Sequence, residues 1–382
     1  MWIFYLFALI PIAIGGAFWI FKHEVVWWEW LIGCAIALIT SGAIHAAAFY
    51  GMTTDVETWS GQLTCVVHYP RWVEEYQQMH TRTVGSGKNA RTETYFTTEH
   101  RTHPEHWTAY ADLGTDSDSH DISRAFFDDV RGKFGGEITT TQPPKKGFDS
   151  GDRNIYTAHN HTRYVYPVTK LKTWENRVKA APSVFSFVEV PDTVKVFKYP
   201  ENGDWRRSDR LVGTAGTAIP IREWDKMCTR LGPIKKVNVI LVGFGDRDSM
   251  VAHYQQAAWV GGRKNDLVLC YGGPANKIAW AYVFGWSESE LAKERLKTVL
   301  KNSPIGVEII PKIEKEIVDN YVIKDWSKFD YIAVEPPFWS YFVLLGVMVV
   351  TQSIFLLVAM FNNADKNSGK RGLFGRGRSS RG

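Results

Sequence analysis

Cysteine is scarce in this chain, which excludes the small disulfide-rich folds. The 382 residues contain four cysteines, and Cys34 lies in an apolar run near the N-terminus. The other three, Cys65, Cys228 and Cys270, are an odd number spread widely along the chain. Such a distribution does not build a disulfide framework, although one pair could close in an oxidising compartment.

An excess of positive charge is also missing from the middle of the chain. Seven of the 45 Lys and Arg and three of the 40 Asp and Glu lie outside residues 51–337, which leaves 38 positive and 37 negative side chains between. A nucleic-acid-binding domain needs a basic face that neutralises phosphates. We therefore expect no nucleic-acid partner.

Familiar catalytic signatures are absent from the sequence as well. It contains no Walker loop, no zinc-protease helix and no serine nucleophile elbow. Gly243-x-Gly245 lacks the third glycine of a nicotinamide-binding fingerprint. The sequence therefore gives no indication of these enzyme classes.

Long uncharged apolar runs, by contrast, are prominent. Residues 338–361 carry no charge and are long enough to cross a hydrocarbon core of about 30 Å as a helix. Two further runs, 2–21 and 25–50, predict a transmembrane helical hairpin over residues 1–50 with its tip at 22–24. A cleavable signal peptide is the alternative for the first run, but a positively charged start is missing.

Basic residues after the last apolar run predict the orientation. The tail, residues 362–382, has six Lys and Arg against the single Asp365. Basic segments that flank a membrane helix stay on the cytoplasmic side. We therefore predict a multi-pass protein of the lipid bilayer, with a cytoplasmic tail and with residues 51–337 on the periplasmic or extracellular side.

The predicted extracytoplasmic part has two regions with different patterns. Residues 51–215 are rich in alternating segments such as Thr58–His68, typical of half-buried strands, and in polar loops. Residues 216–330 contain continuous apolar runs, Val237–Val242 and Leu267–Tyr271, which alternate with helical patterns. The fold class is therefore a membrane-anchored α+β protein, with a β-rich subdomain before a layered α/β subdomain.

Several boundaries are also predicted locally. Arg71–His80 favours a short helix, and Ser183–Tyr199 favours strand. The helix that starts at Ile221 is expected to stop at Gly232-Pro233. Ser287, three residues before Glu290, is expected to cap the next helix in a capping box.

One stretch, LGPIKKVNVILVGFGDRDSMVAHYQQAAWVGGRKNDLVLCYG, resembles the TPM domain. Trp259–Gly262 stands at the family's turn after a helix, Arg263–Asp266 is its charged turn, and Leu267–Leu269 is its following strand. The resemblance covers about residues 220–325. It implies an extracytoplasmic α/β domain that is followed by a membrane helix. The whole arrangement also resembles uncharacterised membrane proteins encoded by phages.

The resemblance implies a metal site at Asp246 and Asp248, because some TPM relatives are described as calcium-binding or as acid phosphatases. Both residues follow a predicted buried strand and precede a helix. Loops in this position often bind ligands in α/β sheets. A carboxylate that caps the helix is the alternative.

Four residues form the main candidate for a zinc site. Cys65-x-x-His68 and His100-x-x-His103 are two pairs of nitrogen and sulfur ligands, and zinc binds four such ligands in a tetrahedron. Packed or solvated histidines are the alternative, because residues i and i+3 of a strand point to opposite faces.

Two weaker candidates lie in the polar loops. The acidic group Asp116, Asp118 and Asp121 has oxygen ligands suited to calcium, but it lacks the twelve-residue loop of an EF-hand. His159-x-His161 could bind a metal from one side of a strand. A solvated acidic loop is the alternative for the first group.

Taken together, these patterns favour a non-enzymatic function. We expect a membrane-anchored protein with an interaction or assembly role. A metal-dependent phosphatase that uses Asp246 and Asp248 is the alternative, and a phage-encoded modifier of the host envelope is a third. Zinc and calcium are the cofactors that the candidate sites would take.

Overall fold

The structure is a computed structural model in which the chain folds into helices near both ends and sheets between them. It describes residues 9–17, 19–20, 27–85, 87, 91–114, 118–132, 137–140, 153–157, 166–181, 187–201, 203, 205, 208–274 and 277–374. The predicted hairpin tip at 22–24, the acidic residue Asp116 and the pair His159 and His161 lie outside the described residues. The chain divides into a helical unit (Met1–Asp55, Trp174–Ser186, Trp326–Gly382) and a sheet-rich unit (Val56–Thr173, Phe187–Asp325).

Among its described residues, the helical unit contains three helices with apolar stretches. They are α1 (Leu9–Ala17), α2 (Trp27–Thr53) and the long C-terminal helix Phe338–Phe374. Among the described residues, Trp27–Thr53 and Phe338–Val358 are long and apolar enough to cross a membrane. The third crossing and the orientation stay predictions.

Small and polar side chains join the two long helices. The Gln352 amide donates to the Gly33 carbonyl oxygen over 2.9 Å, at a site where both groups are buried. Ala37 packs in a buried cluster with Leu344 and Met348. Close packing of small residues and interhelical hydrogen bonds are the usual means by which helices associate in a bilayer.

A six-stranded antiparallel sheet opens the sheet-rich unit. Its strands run in the order β5-β4-β1-β7-β6, and β8 also pairs with β1. Helix α3 (Arg124–Arg131) covers it, and Phe127 and Val130 of this helix join a core with Leu63 and Val66. The strands are β1 (Thr54–Tyr69), β4 (His106–Asp112), β5 (Asp118–Ile122), β6 (Glu137–Thr140), β7 (Arg153–Thr157) and β8 (Pro167–Glu175). The predicted strand at Thr58–His68 is confirmed.

Two strands form a separate ribbon, β2 (Trp72–Val84) with β3 (Arg91–His103). All 13 residues of each strand pair in one continuous antiparallel register. The helix predicted at Arg71–His80 is therefore wrong. Cross-strand pairs outweigh the helical preference of the Glu and Gln residues, because every residue of β2 has a partner on β3.

A four-stranded sheet with helices on both faces completes the unit. Three parallel strands, β9 (Leu211–Gly213), β10 (Asn238–Gly243) and β11 (Asp266–Gly272), are followed by antiparallel β12 (Trp280–Gly285). The helices are α4 (Ala215–Ala218), α5 (Ile221–Lys235), α6 (Met250–Ala258), α7 (Glu290–Lys301) and α8 (Ile310–Asn320). Buried side chains form separate cores on the two faces of the sheet. The predicted layered sheet of mixed strand direction is confirmed, and β9 was missed.

Two helix boundaries differ from the prediction. Helix α5 continues through Gly232 and Pro233 to Lys235, and a Cβ at Gly232 would clash with the Ser60 carbonyl. Helix α7 is capped by Ser289, which accepts a hydrogen bond from the Ala292 N–H over 3.2 Å. The Ser287 hydroxyl instead donates to the Val322 carbonyl, because Ser287 forms an isolated antiparallel β-bridge with Ile323.

The strand predicted over Ser183–Tyr199 is also wrong for its described part, residues 187–199, which is irregular. Its backbone bonds to side chains rather than to a strand. The Phe197 N–H donates to the Gln255 side chain, and the Phe197 carbonyl accepts from Gln255 and from Trp259. These hydrogen bonds hold the segment against α6 without the backbone pairing of a β-sheet.

Candidate ligand cleft at the carboxyl edge of the sheet

The three parallel strands end beside one cleft. Thr214 follows β9, Gly245 and Asp246 follow β10, and Gly273 follows β11, and all four line a cavity of about 840 Å³. In open α/β sheets, ligands bind outside the carboxyl ends of the strands. The topology therefore places this cleft where such sheets carry their sites.

Glycines let the loops of the cleft approach each other closely. A Cβ at Gly243 would meet the hydroxyls of Thr214 and Tyr271, and a Cβ at Gly273 would meet the Lys277 carbonyl. The Gly273 N–H donates to the Gly245 carbonyl over 2.7 Å, which ties the loops after β10 and β11 together. The floor of the cleft is therefore held by backbone contacts.

The charged lining consists of two lysines and one aspartate. Lys277 comes from the segment before β12, Lys301 from the end of α7, and Asp246 from the loop after β10. In the part of the chain that the structure describes, none of the three forms an ion pair. Their charges are therefore available to a ligand.

Hydroxyl groups contribute the neutral polar lining. Thr214 and Tyr271 share a hydrogen bond, and burial raises the pKa of the Tyr271 phenol while the bond with Thr214 opposes that rise. Ser303, which also lines the cleft, accepts from the Lys312 ammonium over 3.1 Å. These hydroxyl groups are neutral at physiological pH, so the net charge of the lining is set by the two lysines and Asp246.

The structure gives the two predicted metal ligands different surroundings. Asp246 lines the cleft, whereas the Asp248 carboxylate accepts from the Met250 N–H over 2.8 Å at the start of α6. This is the contact of the capping alternative. A metal held by the pair stays a prediction, and Asp246 is the member whose position suits a ligand.

A buried polar network lies at the opposite, amino edge of the sheet. The Asp266 carboxylate accepts from the Asn238 amide over 2.8 Å, from the Tyr199 hydroxyl over 2.7 Å and from the Arg263 N–H over 2.8 Å. Burial raises the pKa of Asp266, and these hydrogen bonds partly offset the rise. Burial, followed by the neighbouring Asp266, also raises the pKa of Tyr199.

This network continues to the first sheet. The Arg210 guanidinium donates to Asn238 over 2.8 Å and to the Ser60 hydroxyl over 2.6 Å, and Arg210 is almost fully buried. The Asn265 amide donates to the Thr58 carbonyl over 2.7 Å. Sequence reasoning missed this network, although its Arg263–Asp266 turn was noted as charged. Because its polar groups satisfy each other, its contribution is to stability.

The four predicted zinc ligands lie on two different sheets. Cys65 and His68 are on β1, and His100 and His103 are on the ribbon. Burial raises the pKa of the Cys65 thiol, which disfavours the thiolate that binds metal. In the described ranges, no three His, Cys, Asp or Glu residues are grouped so that they could hold a metal. The zinc site stays a prediction.

Each histidine of the candidate set has a carboxylate neighbour instead. The His68 Nε2 atom lies 2.7 Å from Glu105, and the His103 Nε2 atom lies 3.0 Å from Glu74. His103 also stacks on Trp72, with ring centroids 4.2 Å apart. Of the acidic loop, Asp121 accepts from the Thr108 hydroxyl. All four cysteines are free thiols.

Comparison of the chain with known families, curated proteins and solved structures gives no significant match in any of the three.

Proposed function

We propose that this protein is a membrane-anchored binding protein with an interaction or assembly role, whose TPM-like α/β domain binds an anionic ligand. The observation that carries the proposal is the cleft at the carboxyl edge of the sheet. Lys277 and Lys301 bring two ammonium groups to it without an ion-pair partner among the described residues. A phosphate or carboxylate group is the chemical class that pairs with them.

Electrostatics support a ligand of net negative charge. Two lysines and one aspartate leave the lining with one excess positive charge. The strands end there in loops whose backbones approach closely, as at Gly245 and Gly273. Lysine is a flexible point charge that suits anions of varied shape.

The membrane topology in this proposal goes beyond the two described helices that are long and apolar enough to cross a membrane. Three crossings, a cytoplasmic tail at residues 362–382 and an extracytoplasmic sheet-rich unit are supported by the apolar runs and by the basic residues after the last run. In this orientation, the cleft meets ligands outside the cytoplasm. A phage-encoded role in altering the host envelope fits the same orientation.

The proposal is tested by anion binding to the full chain in detergent micelles. Inorganic phosphate is titrated by calorimetry and by thermal denaturation. We expect binding by the wild type and a loss of at least about tenfold in affinity in K277A/K301A, since each lost charge pair contributes of the order of 1 kcal/mol. Lys315 lies on the exposed face of α8, away from the cleft, so K315A is the matched control.

Equal phosphate affinity in K277A/K301A and K315A would overturn the proposal. The salt dependence of binding gives a second check, because contacts between exposed charges weaken as the Debye length falls from about 10 Å at 0.1 M salt. Affinity that does not change between low and high sodium chloride would contradict binding by the two lysines.

A metal-dependent phosphatase is the second candidate, and the position of Asp246 in the same cleft favours it. A carboxylate beside two lysines could hold a divalent cation against a phosphate. Hydrolysis of p-nitrophenyl phosphate with and without divalent metal separates the candidates. Metal-dependent hydrolysis that is lost in D246N but kept in D248N would replace the binding function by the enzymatic one.

A further inference from the structure

We propose that the β2–β3 ribbon is a self-association device, in which β3 pairs with β3 of a second copy of this chain. The two hairpins would form one four-stranded antiparallel sheet across a two-fold axis. This interface is independent of the cleft and of any ligand bound there.

The first support is the isolation of the ribbon. Its two strands extend about 44 Å at 3.4 Å per residue. In the described part of the chain, neither strand pairs with a third strand or packs extensively onto a helix. A two-stranded sheet without further support is marginally stable in water. The two strands of a second copy would supply the additional strand pairing that the isolated ribbon lacks.

The second support is that β3 lacks three of the features that commonly protect an open edge, although it does carry charged side chains. Proteins block edge strands with proline, lysine or bulges. Residues 91–103 contain neither proline nor lysine, and their register with β2 has no shift. Five of these residues are threonine, which favours strand: Thr92, Thr94, Thr97, Thr98 and Thr102.

The third support is charge complementarity, which selects a second copy as the partner. When β3 pairs with itself over its full length, the two-fold axis passes through Thr97, the midpoint of Arg91–His103. This register places Glu93 opposite Arg101 of the other copy, twice in each dimer. Opposite charges that face each other stabilise a strand pair. Arg101 is exposed and forms no ion pair with any residue that the structure describes.

The corresponding register of β2 is less favourable. Pairing about its midpoint, Gln78, would place Glu74 opposite Arg82. Glu74 is buried and lies 3.0 Å from His103, and Arg82 lies 3.2 Å from Glu93. Glu93 is itself close to Arg82 and Arg91, but its side chain stays 33% exposed, whereas Glu74 is buried. The β3 edge therefore keeps the more accessible carboxylate, together with Arg101, which has no ion pair among the described residues.

An exposed aromatic side chain adds apolar contact to the β3 interface. Phe96 is 61% exposed and lies opposite Met79, which is 63% exposed. Across the two-fold axis, the two Phe96 rings become diagonal neighbours, a separation of about 7–8 Å that aromatic side chains reach. The dimer would therefore add a Phe96–Phe96 contact to the hydrogen bonds between the two β3 strands.

A cysteine on the two-fold axis tests the register. Residues opposite each other in an antiparallel pair have Cα atoms about 4.5–5.5 Å apart, within the range of a disulfide. Mild oxidation of the full chain in detergent should therefore link T97C to T97C of a second copy. The matched control, Q78C at the midpoint of β2, should stay monomeric on a non-reducing gel. Equal linking of both variants, or of neither, would overturn the proposal.

Charge reversal tests the contact itself, in the T97C background. E93R and R101E alone place like charges opposite each other, so each should dimerise roughly tenfold more weakly. An equal mixture of E93R and R101E chains restores both opposite-charge contacts, so mixed dimers should exceed the roughly one half of all dimers that random pairing gives. Effects within each chain are the same in mixed and unmixed dimers, and therefore cancel. A mixture that yields no excess of mixed dimers contradicts the Glu93–Arg101 contact.

Discussion

The four-stranded sheet has apolar central strands, whereas the ribbon has polar ones, and the two obtain their stability from different sources. Every residue of β10 and β11 is buried, and helices cover both faces. On the ribbon, by contrast, only Glu74 is buried among the residues of β2. The four-stranded sheet is stabilised by side chains of its own chain, whereas the ribbon depends on its cross-strand pairs and on any partner at its edges.

The difference also indicates where function resides. A sheet whose side chains are all used in its core can offer only its edges and loops to a ligand, and the cleft is formed by such loops. A ribbon whose side chains remain exposed can offer its faces and edges directly. The two proposals follow this difference, with a small anion at the cleft and a second copy of the chain at the ribbon.

The largest expected effect contrasts the interiors of the two regions. Leu241 in β10 is fully buried, so L241A leaves a cavity and should lower the free energy of unfolding by about 2–5 kcal/mol. Met79 on the ribbon is largely exposed, so M79A should change it by less than about 0.5 kcal/mol. Denaturant titration of the full chain in micelles, followed by tryptophan fluorescence, measures both. Similar losses in the two variants would remove the contrast.

The next effect concerns the polar network of the four-stranded sheet. In D266N, an amide replaces a carboxylate that accepts from Asn238, Tyr199 and Arg263, so at least one buried donor loses its acceptor. We expect a loss of about 1–3 kcal/mol in the free energy of unfolding. The same denaturant titration measures it, with D319N, the same substitution at an exposed position near the end of α8, as the control.

The cost of D266N should also depend on pH. Burial raises the pKa of Asp266 in the folded state above its usual value of 3.8, so the folded chain binds this proton more tightly. The resulting stabilisation is fully present below pH 3.8 and is lost as the pH rises through the raised pKa. The difference between wild type and D266N should therefore be largest in acid and shrink as the pH rises. A difference that grows with pH would contradict this sign.

The smallest effect lies within the ribbon. His103 stacks on Trp72 and bonds to Glu74 across the strand pair, and such pairs contribute about 0.2–1 kcal/mol. H103A should lower the melting temperature slightly and by the same amount with or without a zinc chelator. Stoichiometric zinc in the purified protein, or a chelator effect that disappears in H103A, would instead support the zinc site.

Prediction from sequence succeeded where the local pattern and the final environment agree. The runs Val237–Val242 and Leu267–Tyr271 are apolar at nearly every position, and a strand buried on both faces needs that pattern. On the ribbon, WVEEYQQMH contains Glu and Gln residues that favour helix. Its strand partner lies on the far side of a turn, and a local pattern does not show that pairing.

The residues of the candidate cleft likewise include some that the sequence could predict and some that it could not. Asp246 could be predicted, because it follows a recognisable buried strand. Lys277 and Lys301 could not, because one precedes β12, the other ends α7, and only the folded sheet brings them to one cavity. No spacing in the sequence relates them to each other.

The C-terminal helix has a mechanical consequence. Phe338–Phe374 is continuous over 37 residues, and no proline interrupts it. At 1.5 Å per residue it measures about 55 Å, while the hydrocarbon core is about 30 Å thick. In a bilayer, about 25 Å of this helix, or more than four turns, would project beyond the hydrocarbon core as a stiff shaft. A twist or pull applied to that shaft would reach the aromatic residues at its other end without a hinge to absorb it.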